Sequence, residues 1–373
     1  MSTVETMQQK IAKPASKVTN HRFCLNLGDG CTSACEFCFQ KNASRNHQRI
    51  HELGFQEAIH CVSLLKNCGV EEIEFTGGEP TLRPDLSRIV AFARKIGIKH
   101  IGVATSGVRL SSWPVIHELK NAGVDEFRFL MLGHNAAIHD LHTRVAGSFQ
   151  HLNQAILNCQ RLGMELRVKT VVTGLNYNYL VPLMEKLLQL QVYRINFICL
   201  HPSANNTPNH DSLNVLYSFV APKFQKIADC YWRVMKKITF SFIPFCFMVG
   251  YEQYVNNGPQ IIHEAAESDF LVENQGHFAL WHSALTNPLN FSFLAAYKNA
   301  VQSDWQLFCR DDVQKFFELK YRRKSPECLK CRYDLICDGI WRNYIKWVGF
   351  REIQAVPGKK IQDPTHFMRA SIT

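Results

Sequence analysis

The chain has 373 residues, 46% of them hydrophobic, and Lys plus Arg exceed Asp plus Glu by 42 to 32, a net +10. That length calls for one large domain and a smaller one, and the surplus charge biases the surface toward anionic partners such as acidic peptides, nucleotides or nucleic acid. Fourteen cysteines would suit a disulfide-built secreted protein, but Met1 to Asn20 is polar and basic with no charged-then-apolar signal, so reduced thiols and a cytoplasmic setting are expected.

In chain order, residues 1–20 read as a loose leader and Arg22 to Leu27 as a first strand. Three cysteines follow within eight residues, in Cys31-Thr-Ser-Ala-Cys35-Glu-Phe-Cys38. Thiolate is the usual ligand of iron–sulfur clusters, and three thiolates leave one iron of a cubane open for chemistry. A zinc knuckle, or cysteines packed as small hydrophobes, are the alternatives. Gln40 to His51 continues the loop, and a helix runs from Gly54 to Cys68 on the spacing of Ala58, Cys61, Leu64 and Leu65, closed by Gly69.

The strand Glu72 to Phe75 leads into Thr76-Gly77-Gly78-Glu79-Pro80. Paired glycines let backbone approach a ligand closely, and the adjacent carboxylate can accept hydrogen bonds from an ammonium. A plain strand-to-helix turn would look the same. The C-x-x-x-C-x-aromatic-C spacing and the G-G-E-P run together resemble the radical S-adenosylmethionine (radical SAM) superfamily. The resemblance implies that Cys31, Cys35 and Cys38 hold a 4Fe-4S cluster whose fourth iron is chelated by S-adenosylmethionine. It further implies that Phe37 lies near the adenine, and that Gly77, Gly78 and Glu79 meet the methionyl amino group.

Strands and helices then alternate: helix Asp85 to Lys95, strand His100 to Ala104, turn Thr105 to Gly107, helix Trp113 to Ala122 and strand Glu126 to Leu132. Such alternation implies a parallel sheet. Ser106 stands where relatives carry a small polar turn near the ribose, which makes it a candidate contact, and Leu130 stands where relatives commonly have serine. His134, His139 and His142 read as surface or capping residues, one of them a candidate proton carrier because imidazole titrates near neutrality. Helix Gln150 to Leu162, strand Glu165 to Val172, helix Tyr179 to Leu190 and strand Tyr193 to Cys199 complete six strand-helix units. Arg167 or Lys169 would face inward toward a carboxylate. The expected fold is α/β, a partial (β/α)6 TIM-like barrel over residues 21–205, with its motifs at the carboxyl ends of strands, where parallel barrels place their sites.

Pro202 to Asp211 reads as a boundary, and residues 206–373 as a smaller C-terminal iron–sulfur extension. It begins with a helix from Leu213 to Lys236. Ile238 to Val249 is too short and too broken by Pro244 to span a membrane. Lys320 to Lys324 is the densest basic cluster and reads as a solvated face, which disfavours nucleic acid. Cys246 together with Cys328, Cys331 and Cys337 supplies four thiolates, enough to close a second cluster or a zinc site, with Cys309 as a substitute ligand. Here the chain resembles SPASM and twitch extensions. Trp341 occupies the last cysteine position of the full SPASM pattern, so the resemblance implies one auxiliary 4Fe-4S cluster in a twitch-like arrangement. The remaining cysteines, 24, 61, 68, 159, 199 and 230, read as packed side chains, and Tyr251 to Trp305 fits no motif.

The implied activity is reductive cleavage of S-adenosylmethionine to a 5'-deoxyadenosyl radical that takes hydrogen from a peptide, oxidising or crosslinking it. A sugar or nucleotide substrate and a non-catalytic metal-binding scaffold are the other readings. An electron donor such as flavodoxin or ferredoxin completes the expected partners.

Overall fold

The computed structural model describes residues 22–38, 52–67, 70–200, 212–235, 237–257, 260, 270–274, 277–281, 306–308 and 322–367. The leader, residues 40–51, Cys68, Gly69, the 202–211 boundary, Cys309 and most of 258–321 lie outside them.

Eight strands form one sheet in sequential order, every neighbouring pair parallel. They are β1 (Arg22–Asn26), β2 (Glu72–Thr76), β3 (His100–Thr105), β4 (Glu126–Leu130), β5 (Glu165–Val172), β6 (Arg194–Cys199), β7 (Lys237–Ser241) and β8 (Val255–Asn256). The helices packed around it are α1 (Phe55–Asn67), α2 (Leu86–Lys95), α3 (Trp113–Ala122), α4 (Ala136–Thr143), α5 (Ser148–Arg161), α6 (Leu180–Gln189) and α7 (Tyr217–Tyr231). The six expected strand-helix units are present, and β7 and β8 extend the sheet from the segment assigned to the extension.

The alternation of side chains along a strand explains the layering. One set, including Leu25, Phe75, Val103, Phe127, Val168, Phe197 and Phe240, is buried with the helices' apolar faces in the core. Each such side chain contributes roughly 1.5–3 kcal/mol by leaving water. Phe224 of α7 stacks on Phe240 at 4.2 Å between ring centres.

The opposite set is polar. Glu74, Glu126 and Arg128 are almost wholly buried, and Arg128 pairs with Glu74 and lies 3.7 Å from Glu126. Arg167 pairs with Glu126, and Lys169 Nζ lies 3.8 Å from Glu74 Oε1. Since β2 and β5 are three strands apart, about 14 Å along a flat sheet, this contact spans two intervening strands, as inward curling of the sheet favours. The sheet is therefore curled into a half-barrel, and its lumen is lined with charge. Register settles which way β5 faces: Arg167 sits opposite Arg128, and Lys169 between Leu130 and Asn196.

Two expectations change. The segment 136–143, to which no element was assigned, is the helix α4, because Asn135 caps it by accepting from the Ile138 N–H at 3.1 Å. The helix expected from Leu213 starts at Tyr217, since Leu216 is still extended, and ends at Tyr231.

Two smaller sheets follow: β9 (Phe270–Asn274), β10 (His277–Trp281) and β11 (Gln306–Phe308), then β12 (Arg322–Arg323) paired antiparallel with β13 (Ile340–Trp341). A short helix, α8 (Arg342–Val348), follows β13 and docks on α7 through Tyr344, whose ring stacks on Tyr217 at 4.3 Å. Among the described residues no helix is long and apolar enough to cross a membrane.

Candidate cofactor site

The cysteine loop leaves the carboxyl end of β1 and is joined by backbone to the glycine turn after β2. Gly28 O accepts from Gly78 N at 2.8 Å, and Gly30 O accepts from Glu79 N at 2.7 Å. A Cβ on Gly78 would stand 2.2 Å from Gly30 O, and one on Gly77 2.5 Å from Gly28 O. Both glycines are thus required by the approach of the two loops, whatever they do for a ligand. Asn26 Oδ1 holds Gly28 N at 2.9 Å, Glu52 Oε1 holds Gly30 N at 2.9 Å, and Arg83 reaches the carbonyls of Leu27 and Leu53.

Further along, Ala34 N donates to Thr143 O at 2.9 Å, and Glu36 pairs with Arg144, so the end of α4 fixes the middle of the cysteine loop. Cys38 N closes a turn on Cys35 O at 3.2 Å. Cys31 is exposed, Cys35 buried and Cys38 half-buried. Burial raises the Cys31 thiol, with the charges of Glu79 and Cys38 adding to it. Among the described residues no three Cys, His, Asp or Glu side chains are drawn in tightly enough to hold a single ion. Three thiols on one loop are the ligand type of a polynuclear cluster, whose ligands bind different irons.

Glu79 is buried and accepts five hydrogen bonds. Its Oε1 takes the Thr81 N–H at 3.2 Å and the hydroxyls of Thr81 and Thr105 at 2.6 Å, while Oε2 takes the Ser106 N–H at 2.7 Å and its hydroxyl at 2.6 Å. The ends of β2 and β3 are thereby tied together, and Ser106 retains only acceptor capacity toward a ligand.

Phe37 faces His142, their ring centres 6.3 Å apart. His139 and His142 are buried, not at the surface as their polarity suggested. His142 Nδ1 donates to Ile138 O at 2.7 Å and Nε2 accepts from Thr173 at 2.9 Å, while His139 Nδ1 accepts from Leu132 N at 3.2 Å. Burial holds both imidazoles neutral, lowering His139 to about 4. Asn26, Glu52 and Thr173 were not marked in the sequence as parts of the site. A polar residue ending a strand, as Asn26 does, was the available signal.

The second cysteine group converges in space. Cys246, on the turn after β7, lines one cleft with Cys328, Cys331 and Cys337. Burial pushes the Cys246 thiol up, and the charges of the other three push it further, Cys337 foremost; burial, with the charge of Asp338, carries Cys337 to about 12. The pairing of β12 with β13 closes the loop that carries these cysteines, and a Cβ on Gly339 would meet Arg323 O at 2.6 Å. Trp341 is buried beneath the Arg322 guanidinium, which also pairs with Asp338.

Of the cysteines expected to be packed, 24, 61, 159 and 199 are buried, whereas Cys230 is exposed.

Against this geometry, the Radical SAM superfamily model matches residues 25–187. The chain carries a radical SAM domain. This domain is 28% identical over 169 residues to a 7,8-dihydro-6-hydroxymethylpterin dimethyltransferase of Methanocaldococcus jannaschii, covering 44% of this chain and 33% of that protein. Over 202 residues it is 24% identical to a probable GTP 3',8-cyclase of Saccharolobus solfataricus, covering 52% of this chain and 63% of that protein. The chain thus spans between a third and two thirds of these curated relatives. The structure of Streptococcus suis SuiB bound to the precursor peptide SuiA superposes with a TM-score of 0.60 at 15% identity, covering 88% of this chain and 73% of that one. The shared α/β half-barrel is what that likeness shows. The radical SAM family binds a 4Fe-4S cluster and S-adenosylmethionine.

Proposed function

We propose that this chain is a radical SAM enzyme that acts on a peptide. The observation that carries the reading is the backbone pairing of Gly28 and Gly30 with Gly78 and Glu79, which sets a three-thiolate loop against a glycine turn at the strand ends of a half-barrel. Cys31, Cys35 and Cys38 would hold the 4Fe-4S cluster. When bound, the cluster and S-adenosylmethionine supply one-electron cleavage of the sulfonium and a 5'-deoxyadenosyl radical able to take hydrogen from a substrate carbon.

The chain's own part is placement and exclusion. The open backbone of Gly77 and Gly78 and the charge of Glu79 receive the ammonium, Phe37 bounds the adenine, and Ser106 offers an acceptor to a ribose hydroxyl. His142 and Thr173 hold each other behind Phe37. The ion pairs of the lumen order the interior of the barrel. Cys246, Cys328, Cys331 and Cys337 would hold an auxiliary 4Fe-4S cluster with every iron capped, suited to passing an electron. A low-potential carrier of the flavodoxin or ferredoxin kind supplies reducing equivalents.

A peptide is favoured by the fold shared with SuiB, seen with its precursor peptide. A small-molecule substrate is the second reading, since the curated relatives are named for pterin and GTP chemistry. Anaerobic reconstitution followed by iron and sulfide counting and a deoxyadenosine assay with dithionite tests the proposal. Cys35→Ala should abolish deoxyadenosine, while Cys331→Ala should lower iron and leave part of the cleavage. Equal retention in both variants would refute it.

A further inference from the structure

The cleft that gathers Cys246, Cys328, Cys331 and Cys337 is walled by Pro244, Ile340, Ile353 and Ala355, and among the described residues that line it Lys324 is the one cation. Lys324 follows β12, and its place is fixed from two sides. Its stem packs on Gly339, two residues past Cys337, where a Cβ would stand 3.0 Å from Lys324 Cγ. Its Nζ donates to Asp334 O and lies 3.3 Å from Asp334 Oδ1. Asp334 also lines the cleft, but its other oxygen is taken at 2.8 Å by Lys360. Two ammonium groups on one carboxylate leave a net positive charge beside the thiols.

The sulfurs themselves meet hydrogen-bonding groups. Val356 N donates to Cys331 Sγ at 3.4 Å, the Ser325 hydroxyl lies 3.4 Å from Cys328 Sγ, and backbone N–H groups of Gly339 and Phe245 reach Cys337. Donors converging on sulfur favour thiolate over thiol. Burial and the charge of Asp338 push the Cys337 thiol up, and Lys324 pulls it the other way. Four thiolates outweigh the positive core of a cubane, so such a cluster is an anion and each electron taken up adds to its charge. Apolar walls make that addition costly, because charge is little screened there. Net charge and hydrogen bonds to sulfur set the reduction potential, and a cation held in the same cleft acts nearly unscreened.

We propose that Lys324 sets the reduction potential of an auxiliary cluster on these four cysteines, raising it by stabilising the one-electron-reduced form. The inference rests on the reading that the four thiols hold a 4Fe-4S cluster. In the reduction concerned one electron enters the cluster from a reduced viologen, which is oxidised by one unit; no bond changes and no proton moves.

The test is a viologen-mediated redox titration of the reconstituted full-length chain, read by electron paramagnetic resonance, in a Cys31→Ala, Cys35→Ala, Cys38→Ala parent that leaves only the second cluster. Lys324→Met should shift the one-electron equilibrium toward the oxidised form by about tenfold, a midpoint lower by about 59 mV, with iron and sulfide per chain unchanged. Lys324→Arg should keep the parent's midpoint. Lys360→Met, whose native side chain is 43% exposed, should lower it less, because solvent screens that charge. Should Lys324→Met fail to hold iron, Lys324→Gln is titrated in its place. An unchanged midpoint without the Lys324 charge, an equal fall in Lys324→Arg, or loss of iron from Lys324→Met and Lys324→Gln alike would each overturn the assignment. Where the parent holds its iron and the midpoint ignores Lys324, the functional reading stands. Zinc in place of iron in the parent would instead strike the auxiliary-cluster reading, and this inference with it.

Discussion

The Arg322 guanidinium carbon lies 3.8 Å from the ring centre of Trp341. The contact is buried, braced by Asp338 on the cation and by Phe242 edge-on to the indole at 5.5 Å. A cation held against an indole without water is worth about 2 kcal/mol. Trp341→Cys, which restores the thiol that the SPASM pattern would have there, should empty that volume and destabilise the chain by about 3–5 kcal/mol. Iron per chain should not rise above the unsubstituted level. Thermal unfolding with iron analysis checks both.

The lumen pairs make a second prediction. Glu74→Gln leaves Arg128 buried with its nearest charge removed, and breaking a buried pair from one side costs about 3–5 kcal/mol. Exchange of both partners for apolar residues, Glu74→Met with Arg128→Met, should recover much of the loss. Denaturant titration of the two variants distinguishes a cost of breaking the pair from a worth of the pair itself.

Buried imidazole predicts a pH dependence. His139 titrates at about 4 when folded against 6.5 ordinarily, because burial disfavours its charged form. A depressed folded pKa means that the unfolded chain binds the proton first. Stability from this group is therefore complete above pH 6.5 and drains as pH falls toward 4, by up to about 3 kcal/mol. His139→Gln should flatten that stretch of the unfolding-versus-pH curve, and an unchanged slope would count against it.

Thiol accessibility gives a fourth prediction. Burial pushes the Cys61 and Cys199 thiols well up and Cys159 to about 12, while Cys230 is exposed. Iodoacetamide at pH 8 should label Cys230 within minutes and leave these three unmodified until denaturant is added, as read by peptide mass mapping.

The strands β1 to β6, the glycine turn and both cysteine groups were legible because each depends on local chemistry: alternating apolar runs, paired glycines, close thiol spacing. What escaped depended on distant parts of the chain. The strand β8 is only Val255–Asn256 and exists by pairing with β7. Arg167 or Lys169 was expected to face inward, and register with β4 and β6 places both on that side. His139 and His142 looked superficial because polar side chains usually are, and their burial follows from partners at Leu132 and Thr173 that sequence distance hides. The helix α4 was overlooked because its capping residue, Asn135, sits among histidines that resemble loop.

Five donors from Thr81, Thr105 and Ser106 share the two oxygens of Glu79. An amide of the same shape would turn one of those oxygens into a donor, aimed at groups already donating. The position therefore tolerates no gentle exchange: two strand ends take their bearings from a single anion, and misalignment there would spread to both at once.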